Sequence, residues 1–294
     1  MNGLEAELRE LFESRIVLLD GAMGTTIQLY HPDEAFYRGE MFADHSKDLM
    51  NNNDVLNLTQ PDTIKKIHKD YLLAGADIIE TNSFNGTTCV QAEYQLEDSV
   101  RAMNIAAGRL AREACDEVYA ETGVKRYAAG TLGPTGKSAA VATKDDPADR
   151  DITFDELVIT YQDQIEGLVE GGVHIIFIET IFDTLNSKAA MMAYTQFYEN
   201  TPKEERLPLF LSVTMIDLAG RNLSGQNIEA FFASSEHMDP FCIGINCALG
   251  PSHMLPFIER LSSIAPYYVH AYANAGLPDG MGGFLDDKES FTKA

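Results

Sequence analysis

The chain has 294 residues, 45% of them apolar, and sets 22 Lys and Arg against 45 Asp and Glu for a formal net charge of −23. So large an acidic surplus excludes nucleic acid and anionic membrane as partners, because both are held through basic patches. The length suits one large α/β domain, taken as a single unit over 1–294, with enough apolar residues for a sizeable core.

No apolar run reaches the roughly 18 residues that a membrane helix needs. The start, Met1-Asn2-Gly3-Leu4-Glu5-Ala6-Glu7-Leu8, is acidic and amphipathic, unlike a signal peptide. The four cysteines, Cys89, Cys115, Cys242 and Cys247, are dispersed and form no CxxC pair. That favours a reducing, cytoplasmic setting over a disulfide framework.

In chain order, an apolar run over 16–19 predicts a first strand, followed by a long insertion over 28–53 with short helices. Pro61 and the apolar spacing after it predict a helix over 62–74, then a strand over 76–80. The pattern continues with a helix over 98–118, a strand over 127–130, a helix over 155–171 and a strand over 174–179. Next come a helix over 184–198, a strand over 209–215, a helix over 227–235 and a strand over 242–246. A helix over 251–265 and a strand over 267–271 follow, and 286–294 reads as the first turns of a seventh helix. Strands alternating with helices imply a parallel sheet. Seven of them, with no Gly-rich phosphate loop after the first, favour a (β/α)8 barrel of the TIM type over a doubly wound sheet. On this count the eighth strand and helix are expected to be missing, so the barrel is expected to be incomplete at its C-terminus.

Barrel chemistry gathers at the C-terminal ends of the strands. Those ends carry Asp20, Gly21, Ala22, Met23, Gly24 and Thr25, then Glu80 and Asn82, then Glu179, then Asn246 and Cys247. Taken singly each has a plain reading: Asp20 caps a turn, Glu80 and Glu179 pair with neighbouring cations, and Cys247 is a small buried apolar group. His68 and His174 fall within a helix and at a strand start and read as structural. The convergence of polar strand ends is what points to function. Carboxylates at Asp20 and Glu179 suit a ligand ammonium, and the amides of the 21–25 turn suit its carboxylate, which together describe an amino-acid site. A soft thiolate at Cys247 suits zinc, and zinc suits a thiol substrate. One thiolate is not a zinc site, which takes about three protein ligands.

Several segments resemble the homocysteine S-methyltransferases. They are Leu18-Leu19-Asp20-Gly21-Ala22-Met23-Gly24-Thr25, Ala74-Gly75-Ala76-Asp77-Ile78-Ile79-Glu80-Thr81-Asn82-Ser83-Phe84 and Gly130-Thr131-Leu132-Gly133-Pro134-Thr135. Further segments are most similar to the N-terminal homocysteine domain of the cobalamin-dependent methionine synthases. These are Ile178-Glu179-Thr180-Ile181-Phe182-Asp183-Thr184-Leu185-Asn186-Ser187-Lys188-Ala189, Gly220-Arg221-Asn222-Leu223-Ser224-Gly225-Gln226, Gly244-Ile245-Asn246-Cys247-Ala248-Leu249-Gly250-Pro251 and Asn274-Ala275-Gly276-Leu277-Pro278.

The resemblance implies a (β/α)8 barrel that binds homocysteine and zinc. It places substrate on Asp20, Gly21, Ala22, Met23, Gly24, Thr25, Glu80, Asn82, Glu179 and Asn246, and zinc on Cys247 with an adjacent cysteine pair on the eighth strand. The Gly-Gly-Cys-Cys-Gly motif that carries that pair does not occur in this sequence. No catalytic residue separate from the zinc site is implied. The methyl donor would be methylcobalamin, held with a folate module in another domain or chain. Two alternatives follow: a catalytically inactive barrel remnant that binds an amino acid or a partner chain, and a betaine- or S-methylmethionine-dependent methyltransferase. An unclosed barrel is also expected to associate through its strand edges.

Overall fold

A computed structural model describes residues 3–140, 146, 149–276 and 285–293. Leu277, Pro278 and Ala294, on which parts of the sequence reading fall, lie outside them.

The chain opens with α1 (Gly3–Ser14), α2 (Met23–Gln28), α3 (Glu34–Arg38), α4 (Leu56–Thr59) and α5 (Pro61–Ala74) before β1 (Ile78–Glu80). It continues through α6 (Thr88–Gln91), α7 (Val100–Thr122), β2 (Tyr127–Leu132), α8 (Phe154–Glu170), β3 (Ile175–Ile181) and α9 (Thr184–Phe197). Then come β4 (Leu209–Val213), α10 (Ile228–Ser235), β5 (Cys242–Asn246), α11 (Pro251–Ile264), β6 (Tyr268–Tyr272) and α12 (Lys288–Lys293). The predicted helices are thus present, with ends moved by at most four residues. The α8 start is explicit in the sequence: Thr153 and Glu156 form a reciprocal capping box.

The strands form one parallel sheet in the order β1-β2-β3-β4-β5-β6. Six strands appear among the described residues where seven were expected. The predicted first strand contributes a single bridge, Leu19 to Ile78. The physical reason lies at Asp77, whose carboxylate takes the Leu18 amide at 3.0 Å, the donor a ladder would have used. Arg15 and Arg126 bind the same carboxylate. Ile16 and Leu18 are 85% and 53% exposed, so burial does not enforce a strand there.

Residues alternate between two cores, as a period of two requires. Ile176, Ile178, Leu209, Leu211, Val213, Ile243 and Ile245 pack outward with α8 and α9 residues such as Leu157, Leu168, Ala190 and Tyr194. Ile78, Tyr127, Ala129, Ile175, Phe177, Phe210 and Cys242 face inward. The sheet curls enough to bring its ends together: Tyr272 Oη on β6 donates to Asp20 Oδ1 at 3.2 Å. The interior floor is closed by α1, whose Leu8 is fully buried and whose Phe12 lies 5.3 Å from Phe241 and 4.9 Å from Tyr268. The acidic amphipathic start of the sequence is therefore a plug that buries its apolar stripe under the strands.

Candidate active site

Because the sheet is parallel, Asp20, Glu80, Glu179 and Asn246 all sit at its C-terminal end. Asp20 Oδ2 accepts the Glu80 amide at 3.0 Å while Oδ1 accepts the Tyr272 hydroxyl. Asn246 Nδ2 lies 3.1 Å from Glu179 Oε2, 2.8 Å from Thr180 Oγ1 and 3.2 Å from Cys247 Sγ. Asn246 Oδ1 accepts from the Thr180 amide at 3.0 Å and from Ser212 Oγ at 2.7 Å. One buried amide thus ties together β3, β4 and the end of β5.

The backbone is bent to make this possible. The register between β3 and β4 shifts between Ile178 and Ile181, a bulge that frees Thr180 N for Asn246. Thr180, Cys247 and Ala248 have φ of +54°, +58° and +57°. Left-handed backbone is unfavourable for such residues, above all for β-branched Thr, and its clustering marks a functional site.

The electrostatics are one-sided. Desolvation raises the Asp20 pKa to about 7, although the Glu80 amide and Tyr272 hydroxyl pull it back. Glu179 is pushed to about 8 by burial and by the Asp20 charge. Glu80 stands well above the ordinary range through burial and the charges of Glu179, Asp20 and Cys247. Burial and Glu179 likewise raise the Cys247 thiol. Glu80 Oε1 is buried without a hydrogen-bond partner among the described residues. An acid cluster of this kind is complementary to a bound cation.

The remaining predicted residues divide. Gly21, Ala22, Met23, Gly24 and Thr25 lead from Asp20 into α2, which starts at Met23. Tyr71 of α5 pins this turn: its hydroxyl is 2.9 Å from Thr26 Oγ1, and a Cβ at Gly21 would lie 2.7 Å from its ring. Only glycine clears that ring. Asn82 points its amide elsewhere, donating to Asn53 O at 2.7 Å, and so braces the strand end against the insertion. His174 is structural as read: its Nδ1 accepts the Ala128 amide at 3.0 Å. His68 is fully buried on α5.

Two finer motifs touch each other. Leu223 N donates to Phe182 O at 3.0 Å, and Ser224 Oγ lies 3.4 Å from Asp183 Oδ1, so the 220–226 turn caps the end of β3. Reasoning from sequence missed Tyr272, Ser212 and His270. Their signal was the period of two: Tyr268, His270 and Tyr272 share one face of β6, and Phe210 and Ser212 share one face of β4.

A family model described as homocysteine S-methyltransferase matches residues 17–294. The chain belongs to that family. Among solved structures, this homocysteine S-methyltransferase family member is similar to the homocysteine methyltransferase MmuM from Escherichia coli. The oxidized form is 22% identical over 92% of this chain and 86% of that one, with a TM-score of 0.72. The metallated form is 22% identical over 92% and 87%, also at 0.72. The apo form is 21% identical over 92% and 86%, at 0.64. At that identity the likeness carries the fold alone, an α/β fold whose curled parallel sheet is consistent with a TIM-type barrel, while family membership makes the protein a methyltransferase whose reaction is homocysteine methylation.

The family implies zinc, and the donor set can be tested against it. Cys247 is the one thiol at the site. Cys115 lies within α7 and Cys89 within α6, while Cys242 sits at the opposite end of β5, its sulfur 3.4 Å from His270 Nδ1. Among the described residues no group of three His, Cys, Asp or Glu side chains could hold a metal ion. Cys247 fits as one ligand; the described residues do not complete a zinc site.

Proposed function

We propose that this chain binds homocysteine at the Asp20, Glu80, Glu179 and Cys247 cluster and presents its thiol for methylation to methionine. The observation that carries the reading is the partnerless Glu80 oxygen among three carboxyl groups at one barrel mouth. A substrate ammonium supplies the missing positive charge, held by Asp20 and Glu179 as charge-assisted hydrogen bonds. The amides of Gly21, Ala22, Met23, Gly24 and Thr25 are the proposed partners of its carboxylate. Asn246 orients Glu179 through its N–H group. The substrate sulfur would then lie toward Cys247, at the open end of β5.

The methyl donor we assign is methylcobalamin, carried by a separate cobalamin module that works with a folate module. What supports this is the resemblance of the contacting segments at 178–189 and 220–226 to the cobalamin-dependent enzymes. Cys247 is the sulfur that the resemblance assigns to zinc, and the described residues bind and orient homocysteine beside it.

Titration calorimetry with homocysteine tests the reading. Asp20→Asn and Glu179→Gln should each weaken binding by about ten- to a hundredfold, the worth of one hydrogen bond to a charged group. Unchanged affinity in both variants would refute the ammonium assignment. Product formation with methylcobalamin, betaine and S-methylmethionine offered separately decides the donor, and turnover with only the last two would remove cobalamin from the scheme.

A further inference from the structure

Beneath the site, the barrel interior holds a line of polar side chains that substrate binding as described does not use. It crosses three strands, from Asn246 and Cys242 on β5 to Ser212 on β4 and His270 on β6. Asn246 and Ser212 are fully buried, and each contact allows only one direction of donation.

The Thr180 amide can only donate, so the side-chain atom 3.0 Å from it is the Asn246 oxygen. That oxygen can only accept, so the Ser212 hydroxyl at 2.7 Å points its proton at it. Ser212 then offers only lone pairs to His270 Nε2 at 3.0 Å, so Nε2 carries a hydrogen. Burial pushes the His270 pKa down to about 3, which keeps the ring neutral and Nδ1 bare. The Cys242 thiol, 3.4 Å from Nδ1, donates to it. At the other end both Asn246 amide protons are left for Glu179, Thr180 Oγ1 and Cys247. A flipped amide would set its oxygen against the Glu179 carboxyl and an N–H against the Thr180 N–H.

The fold makes room for this line. A Cβ at Gly244 would fall 2.2 Å from the His270 carbonyl oxygen and 2.5 Å from its Nδ1, so β5 has glycine where the ring crosses it. Phe177 stands perpendicular to the ring at 5.3 Å and Phe210 lies nearly parallel to it at 6.5 Å.

We propose that His270 and Ser212 are positioning residues of the homocysteine site: the line from His270 Nε2–H through the Ser212 hydroxyl to Asn246 Oδ1 locks the Asn246 amide with its N–H group toward Glu179 and the Cys247 sulfur. The consequence for homocysteine affinity rests on the proposed function; the line itself rests on geometry alone.

Three variants and two readouts test it. His270→Phe keeps the ring shape and removes the donor, His270→Gln restores an N–H at the same reach, and Ser212→Ala breaks the line at its middle. Homocysteine binding should weaken by about five- to thirtyfold in His270→Phe and Ser212→Ala, and stay within about threefold of the unaltered chain in His270→Gln. A merely structural role would not be rescued by glutamine. In the unaltered chain carrying ¹⁵N-histidine, His270 should show a bare Nδ1 and a protonated Nε2 at neutral pH. The Asn246 side-chain amide resonances should shift in Ser212→Ala. Wild-type affinity in Ser212→Ala, or a protonated Nδ1, overturns the proposal. Should the unaltered chain not bind homocysteine, the proposed function fails, and the line is judged on the spectra: an Asn246 amide unmoved by Ser212→Ala overturns it.

Discussion

Asp77 fastens the segment that carries Asp20, and replacing it by Asn tests how that segment is held. Its carboxylate is 1% exposed and accepts from Arg15 Nη1 and Nη2 at 2.6 Å each, from Arg126 Nη1 at 2.5 Å and from Leu18 N at 3.0 Å. Burial alone would raise its pKa, but the Arg15 hydrogen bonds, the Leu18 amide and the two guanidinium charges outweigh it and hold the carboxyl below the ordinary value. Asp77→Asn keeps the shape, removes the charge and turns an N–H group toward a guanidinium.

Breaking a buried pair costs about 3–5 kcal/mol. Arg15 is 45% exposed and regains water, whereas Arg126 is 12% exposed and does not. Discounting the Arg15 half for screening leaves about 2–4 kcal/mol, or roughly 3–6 °C in Tm for a chain of this size. Calorimetry at neutral pH measures the shift. The sign with pH is determined: a depressed carboxyl pKa contributes stability above the ordinary value of about 4 and loses it as pH falls through the folded value. The gap between Asp77→Asn and the unaltered chain should therefore close below about pH 4. The Leu18 carbonyl also accepts the Asp77 and Ile78 amides at 2.8 and 3.2 Å, so the carboxylate shares this anchor with the backbone; with the Leu18 amide and both guanidiniums released, homocysteine affinity should fall as well. A Tm shift under about 1 °C would refute the claim that the Asp77 carboxylate helps to hold the Asp20 segment in place.

Asp54 has the opposite sign: it is 2% exposed, and burial raises its pKa to about 7 against the Asn85 amide it accepts. The stability this group permits is full below its unfolded pKa and is lost as pH rises through 7, so Asp54→Asn should gain Tm over the unaltered chain between about pH 4 and pH 7; parallel pH curves would count against it. Gly244→Ala should cost about 1–3 kcal/mol or more in a urea melt, because the added methyl meets His270 backbone rather than a flexible tip; a neutral substitution would mean that β6 moves aside freely. Tyr161→Phe removes a buried hydroxyl that bonds Asn186 Oδ1 at 2.6 Å and Gly133 O at 3.0 Å, and should lower stability by about 1–3 kcal/mol. Equilibrium dialysis against micromolar zinc should leave well under one zinc per chain, since the described residues offer Cys247 without two companions; stoichiometric zinc lost in Cys247→Ser would show that other groups complete the site.

Much of the fold was legible because its signals are local. The Thr153 and Glu156 capping box, Pro61 at the start of α5 and the apolar runs of β3 and β5 each act within a few residues. The first strand was misread for a reason no local pattern carries. Residues 16–19 are apolar enough for a strand, but the Asp77 carboxylate 59 positions away takes the Leu18 amide. Likewise Asp20, Glu80, Glu179, Asn246 and Cys247 could be named from strand ends, since a curled parallel sheet sends all those ends to one side. Asn82 met the same rule yet turned its amide to Asn53, because the packing of the insertion decides where that side chain finds its acceptor.

The sequence by itself determined the alternation of strands and helices, the family, and which residue types reach the barrel mouth, because periodicity and motif are properties of neighbours along the chain. Tertiary structure alone decided which of those residues touch and which way each proton points. Tyr272 meets Asp20 across 252 positions, Ser212 meets Asn246 across 34, and the bulge at Thr180 turns an amide onto a side chain of another strand. Those contacts depend on sheet curl and register, which arise from the packing of every strand at once.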